Sequence, residues 1–183
     1  MAFLMANAAL AIDTILPGLG GIGASLNVTV ANDLQLIITM ILVGLGVGQL
    51  FFGTLSDSFG RKPMVYAGII TFIVASLICV MAESLTVMLI GRVLQGVGLS
   101  APRSISISII RDSYKGDQMA RIMSFITVIF IVVPMVAPLI GQFILNHYSW
   151  PYIFGFQIVF ILLVLWWFAM RQEETLKIEN KKK

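Results

Sequence analysis

The chain has 183 residues, of which 58% are apolar and only 11% are charged. A soluble globular domain carries about 25% charged residues, so this composition excludes an ordinary soluble fold and indicates a membrane protein. The net charge is +3, but the basic residues are divided among loops and predict no nucleic-acid surface. With one cysteine, Cys79, and one histidine, His147, the sequence offers no disulfide framework or metal centre. We predict no cofactor and no enzymatic activity.

Six stretches are long and apolar enough to cross a bilayer as helices. A hydrocarbon core about 30 Å thick needs roughly 20 mostly apolar residues per helix. Such stretches occupy residues 1–24, 34–55, 63–82, 85–110, 122–145 and 150–170. The first lacks the basic start of a signal peptide and carries Asp13, so we interpret it as a span. The predicted fold is all-α and integral to the membrane, with a six-helix bundle over residues 1–170 and a charged tail or linker over residues 171–183.

The positive residues lie on one side of the predicted bundle. Lys and Arg follow spans two, four and six, as Arg61, Lys62, Arg111, Lys115, Arg121, Arg171, Lys177 and residues 181–183. The connections at residues 25–33, 83–84 and 146–149 contain neither. Because Lys and Arg accumulate in cytoplasmic loops, we predict that both ends of the chain are cytoplasmic.

The strongest motif, GTLSDSFGRKP at residues 53–63, joins spans two and three. Its glycines permit a tight reversal, Asp57 supplies a carboxylate beside a helix end, and Arg61 and Lys62 anchor the turn at the cytoplasmic surface. An ordinary basic hairpin loop is the alternative interpretation. The whole string resembles the signature G-x-L-[SA]-D-x-x-G-R-[KR] of the major facilitator superfamily, with every fixed position present.

This resemblance implies that the loop helps to lock a cytoplasmic gate. The gate residues would be Gly53, Asp57, Gly60, Arg61 and Lys62 of the loop and Arg111 at the end of span four. We expect Arg111 to be the partner of Asp57. The resemblance also implies a twelve-helix plan in which two six-helix halves enclose the substrate. This chain would be the N-terminal half, with spans one to three and four to six as an inverted repeat.

Span four carries two arginines inside an apolar stretch. Arg92 opens the sequence RVLQGVG at residues 92–98, and a charge this deep in a membrane is by default functional. At about 100° per residue, one stripe of the helix holds Arg92, Gln95, Leu99 and Arg103. Such a stripe suits the wall of a substrate cavity, although Arg103 could instead snorkel to the cytoplasmic surface. The string resembles the superfamily's R-x-x-Q-G-x-G motif, whose arginine is associated with proton coupling.

Asp13 is the one acidic residue well inside a predicted span. Apolar surroundings favour the neutral form of a carboxyl and a nearby arginine favours its charged form, so a carboxyl between the two can load and release a proton. Asp13 and Arg92 differ in depth by about 6 Å, which an extended arginine can bridge. We assign this pair to proton coupling and Asp13 also to the cavity, with a static ion pair as the alternative. Pro17 predicts a kink or a close helix contact just outside the acid.

Span five contains PMVAPLIGQ at residues 134–142. Pro134 and Pro138 weaken the helical hydrogen-bond ladder, which neighbouring helices can compensate in a membrane. A proline-kinked packing helix is one interpretation. With Gly141, the segment also resembles a degenerate form of the superfamily's antiporter motif, G-x-x-x-G-P-x-x-G-G, which favours export over import. Expected glycines are replaced, among them by Ala137 and Gln142.

Glycines recur inside spans two and four, at Gly44, Gly46, Gly48, Gly96 and Gly98. They lack the strand, turn and helix context that phosphate binding requires. We therefore predict that they allow close packing between helices.

Six strings along the chain narrow the resemblance further. They are Asp13 with residues 16–17, and residues 57–63, 111–114, 123–125, 137–141 and 149–154. In order and spacing they are similar to bacterial multidrug exporters of the Bcr/CflA group, over nearly the whole chain. The resemblance implies proton-driven export of small, drug-like molecules by a protein of the bacterial inner membrane.

The implied partners are a small-molecule substrate, protons, the lipid bilayer, and either a second six-helix half or a second copy of this chain. Two arginines against one aspartate within the spans favour an anionic or zwitterionic substrate. The alternative hypothesis is a six-helix membrane protein that does not transport without a second half.

Overall fold

The computed structural model describes residues 1–171, so most of the predicted charged tail, residues 172–183, lies outside the described part. The helices are α1 (Ala2–Asp13), α2 (Leu19–Ser25), α3 (Ala31–Phe59), α4 (Arg61–Val80), α5 (Leu85–Ser113), α6 (Gly116–His147) and α7 (Pro151–Arg171). Together α1 and α2 form the first span. The described chain thus has six segments long and apolar enough to cross a membrane, which confirms the predicted fold.

Several helices extend beyond the apolar stretches that predicted them, most clearly α3 and α6. α3 continues to Phe59 rather than residue 55, and α6 begins at Gly116 rather than residue 122. Hydropathy marks only the part of a helix that lies in hydrocarbon, whereas backbone hydrogen bonding continues through polar residues at the membrane surface.

The first span is broken just after Asp13. α1 ends at Asp13, a single 3₁₀ turn covers Leu16–Gly18, and α2 begins at Leu19. Pro17 has no N–H, and in a continuous helix its ring would clash with the carbonyl four residues earlier, which belongs to Asp13. The predicted kink is confirmed, and it makes Asp13 the last residue of α1.

α1 lies in the interior of the bundle, whereas α6 lies at its edge. Residues 4–11 of α1 are all buried, with α5, α6 and α7 as neighbours. In α6 the buried positions among the described residues are Ile126, Ala137 and Gly141. The break after Asp13 therefore occurs in the most enclosed helix of the fold.

Glycines bring α5 into backbone contact with α3 and α4. A Cβ added to Gly44 would overlap a backbone carbonyl of α5, and one added to Gly96 would overlap a carbonyl of α3. Gly48 is equally crowded against α5, and Gly98 against α4. These contacts confirm the predicted packing role. Gly46 is the exception, because a Cβ there would meet no atom within 4 Å.

We expect Gly44→Ala to destabilise the bundle by about 1–3 kcal/mol, because the new methyl group needs space that the backbone of α5 occupies. Gly46→Ala, on the same helix, is the matched control and should not lower stability, since alanine favours a helix over glycine. Thermal unfolding of both variants in detergent, followed by tryptophan fluorescence, measures the difference. Equal unfolding temperatures would contradict the packing role of Gly44.

Candidate functional site

Arg92 is wholly buried where α5 crosses α1 and α3, with 0% of its surface exposed. Its Nε donates to the Ile37 carbonyl oxygen of α3 at 3.0 Å, and Nη1 donates to Gln95 Oε1 at 2.8 Å. Both terminal nitrogens lie 3.4 Å from the Ala11 carbonyl oxygen of α1. A buried charge without partners is very costly, and these acceptors compensate it. The guanidinium thus joins three spans.

In the part of the chain described, Arg92 forms no ion pair with Asp13, although the predicted depths allow one. The guanidinium reaches the backbone at Ala11 instead. Asp13 lies two residues further along α1, and helix positions two apart do not face the same side. The direct bridge is therefore absent from this conformation, and the Asp13 side chain remains partly exposed.

Gln95 extends the contacts of Arg92 to α4. Its Nε2 donates to Ser76 Oγ at 2.7 Å. Gln95 and Leu99 were predicted to line a cavity, but they are 0% and 1% exposed and lie inside the bundle. A helical stripe does not reveal which neighbour covers it, and here α3 and α4 cover this side of α5. Contrary to the prediction, Gln95 and Leu99 therefore do not line an open cavity in this structure.

The structure adds a buried polar contact beside Asp13 that the sequence did not predict. Gln157 of α7 donates from Nε2 to Thr14 Oγ1 at 2.8 Å and lies 3.4 Å from the Ala11 carbonyl oxygen. The signal that could have found it is a lone glutamine within an apolar span, since polar groups in spans are costly and tend to be functional. α1 is therefore held by polar groups from two sides at the point where it breaks.

Arg103 differs from Arg92 in that its guanidinium donors are unused within the described part of the chain. It is partly exposed, and its guanidinium carbon lies 5.4 Å from the ring centroid of Phe130 on α6. Among residues 1–171 it has no hydrogen bond or ion pair. Because Phe130 lies near the middle of α6, the side chain stacks within the span instead of extending to the cytoplasmic end.

The loop between α3 and α4 is built on Gly60 and Arg61. Gly60 has φ 109°, a conformation that favours glycine, whereas Gly53 lies within α3 and plays no part in the reversal. The Arg61 Nη1 lies 2.6 Å from Asp57 Oδ1 and donates to Ser56 Oγ at 2.7 Å. Arg61 thus holds the two ends of the loop together through its contacts with Asp57 and Ser56.

Arg61 also connects the loop to α5, through Asp112. Arg111, the partner predicted for Asp57, takes no part in this contact. The Arg61 Nε lies 3.3 Å from Asp112 Oδ2, while Arg111 is exposed. The expected pair of Asp57 with Arg111 is therefore wrong. Asp57, near the end of α3, is instead paired with Arg61 at the start of α4, which the reversal at Gly60 brings next to it. One step along α5 turns the side chain by about 100°, so Asp112 faces the loop.

We expect Asp112→Asn to loosen this loop, because Arg61 would lose its carboxylate partner on α5. The matched control is Arg111→Gln, one residue away, which should have no effect. Amide hydrogen exchange of residues 56–62 in detergent-solubilised protein measures the difference. We expect exchange about two- to fivefold faster in Asp112→Asn, the range for a partly exposed ion pair. Identical exchange in the two variants would argue against the contact.

The antiporter-like segment packs against the break in the first span. Pro134 and Pro138 lie within one continuous helix, and both are partly exposed. Ala137 and Gly141 are buried, and a Cβ on Gly141 would overlap the carbonyl oxygen of Thr14. Glycine at this position lets α6 approach the backbone next to Asp13.

Lys62 connects the loop to the last span, since its Nζ donates to the Ala169 carbonyl oxygen near the end of α7 at 3.4 Å. The end of α7 therefore lies on the same side of the bundle as the loop between α3 and α4. This is the side on which most of the positive residues occur.

The family model of the Major Facilitator Superfamily matches residues 1–183 of this chain. The uncharacterized MFS-type transporter YdgK of Bacillus subtilis (strain 168) is 35% identical over 187 residues, which cover 99% of this chain and 46% of that protein. The multidrug resistance protein MdtL of Shigella dysenteriae serotype 1 (strain Sd197) is 34% identical over 154 residues, which cover 84% of this chain and 39% of that protein.

Solved structures show the same fold at lower identity. The inward-open xylose transporter XylE from E. coli aligns with a TM-score of 0.74 at 19% identity, covering 94% of this chain and 47% of that one. The human organic anion transporter MFSD10 aligns with a TM-score of 0.70 at 19% identity, covering 98% and 48%. The chain spans less than half the length of these relatives.

Proposed function

Because the chain belongs to the Major Facilitator Superfamily, as its motifs predicted, we propose that it forms the N-terminal six-helix half of a proton-coupled exporter of small, drug-like molecules. One observation carries the proposal. Residues 4–11 of α1 are all buried, whereas Asp13, at the end of this helix, is a partly exposed carboxyl at the helix break. A carboxyl in a span faces a protein interior or a water-filled path and marks a proton or substrate route.

The surroundings of Asp13 suit reversible proton binding. Within the described residues no cation pairs with it, so no salt bridge has to break when the carboxyl takes up a proton. Arg92 acts on it through α1, by holding the Ala11 carbonyl two residues earlier. Movement of α1 would then change the access of Asp13 and the contacts of Arg92 together, which is the coupling that an antiporter needs.

A second six-helix half, or a second copy of this chain, is part of the proposal. The open sides of Asp13 and Arg103 lie within spans, where exposure to lipid is costly, so an opposing wall would enclose them in a cavity. Arg103, whose donors have no partner within residues 1–171, would contact the substrate there. The loop closed by Arg61 would act as the cytoplasmic gate. Because Lys and Arg favour cytoplasmic loops, this loop and both ends of the chain would lie on the cytoplasmic side, in the bacterial inner membrane that belongs to the proposal.

The test is uptake of drug-like dyes, driven by a pH gradient, into inside-out vesicles from bacteria that express the chain. Gradient-dependent uptake supports the proposal. The alternative is a six-helix protein that does not transport without a second half. Absence of uptake would support that alternative, provided that crosslinking through a cysteine at the exposed Met135 detects only monomers.

A further inference from the structure

A groove of about 510 Å³ lies between the start of α1 and the last turns of α7. Its walls are aliphatic and aromatic, and include Leu4 of α1 with Phe160, Leu163 and Trp167 of α7. Arg171 lines one end. None of these residues belongs to the proton site or the gate, so the groove is a separate feature of the molecule.

The groove has the length of one bilayer leaflet. Phe160 and Arg171 are eleven residues apart on α7, which is about 16 Å at the helical rise. Half of a hydrocarbon core about 30 Å thick is about 15 Å. An acyl chain lying along the groove would therefore have its polar head at Arg171.

The charged end of the groove lies at the membrane surface. Arg171 is the last residue of α7 and is exposed, with its guanidinium carbon 5.1 Å from the Trp167 ring centroid. Tryptophan is enriched at this depth of the membrane. The contact between Lys62 and Ala169 places this end beside the loop between α3 and α4. Arg171 thus supplies a positive group at the polar end of the groove.

We propose that the groove binds an anionic phospholipid from the cytoplasmic leaflet, with its phosphate at Arg171 and an acyl chain along Leu163 and Phe160. Basic pockets between transmembrane helices bind anionic head groups, and a guanidinium matches phosphate with paired hydrogen bonds. A neutral lipid would fill the apolar part but would gain less from Arg171. The site is independent of whether the chain transports.

Native mass spectrometry of the purified 183-residue protein tests this, with phosphatidylglycerol and phosphatidylcholine of identical acyl chains as probes. We expect phosphatidylglycerol to bind about fivefold more tightly, the effect of one arginine near a lipid surface. Arg171→Gln should remove this preference. Arg121→Gln, which removes an exposed arginine of α6, is the matched control and should retain it.

Leu163→Trp fills the groove while Arg171 stays in place, and it should weaken the binding of both lipids. Equal binding of the two lipids to the unmodified protein would overturn the proposal. An equal loss of phosphatidylglycerol in Arg121→Gln and Arg171→Gln would also overturn it, because binding would then follow net charge. A protein dimer that excludes bound lipid would identify a second copy as the occupant and would overturn it too.

Discussion

Asp13→Asn is expected to abolish proton-coupled efflux while leaving membrane insertion intact. Asparagine has nearly the same shape as aspartate, but it cannot bind and release a proton in the working pH range. Because Asp13 is partly exposed and forms no ion pair within residues 1–171, the substitution breaks no contact that holds the bundle together. Efflux driven by a pH gradient in inside-out vesicles measures the loss, and the amount of protein in the membrane fraction measures insertion.

Two further variants serve as controls for this experiment. Asp33→Asn makes the same chemical change at the first turn of α3, outside the predicted apolar stretch, and should leave efflux unchanged. Asp13→Glu keeps a titratable carboxyl on a longer side chain and should retain part of the activity. Unchanged efflux in Asp13→Asn would show that the proton binds elsewhere.

Features that depend on a short stretch of sequence were predicted well. The six spans follow from hydropathy, because a bilayer requires a minimum apolar length. The break after Asp13 follows from Pro17, which removes a specific backbone donor and crowds a specific carbonyl. The glycine contacts between α3 and α5 follow from the small residues that helices in membranes need for close approach.

The partners of charged side chains could not be predicted in the same way. The sequence shows that Asp57 needs a cation, but both Arg61 and Arg111 are near enough to supply it, and only the rotation of α5 decides between them. The same limit applies to Gln95, since a helical wheel gives its direction but not the helix that covers it. Gln157 was missed because its contact with α1 joins the two ends of the chain.

The enclosure of Arg92 changes the argument about substrate charge. The expectation of an anionic or zwitterionic substrate counted Arg92 and Arg103 together against Asp13. Arg92 is 0% exposed and its donors are used within the bundle, so it does not contribute charge to an open cavity. Among the described charges well inside the spans, the partly exposed ones are then Arg103 and Asp13, a balance that no longer favours an anion over a zwitterion.

Arg92→Met is expected to abolish efflux and also to lower stability, and the two effects can be separated. Methionine is apolar and of similar length, so it removes the cost of burying a cation. It also leaves Gln95 Oε1, which accepts from Arg92 at 2.8 Å, without that donor, at a cost of about 1–3 kcal/mol. Thermal unfolding in detergent and gradient-driven efflux measure the two effects.

The double variant Arg92→Met with Gln95→Leu distinguishes a functional arginine from a structural one. Replacing both partners of a buried hydrogen bond by apolar groups is close to neutral, and Ser76 keeps its own bond to the Phe72 carbonyl oxygen at 2.7 Å. The unfolding temperature should therefore return towards that of the original protein while efflux stays absent. If efflux returned together with stability, Arg92 would only support the fold and its role in proton coupling would have to be abandoned.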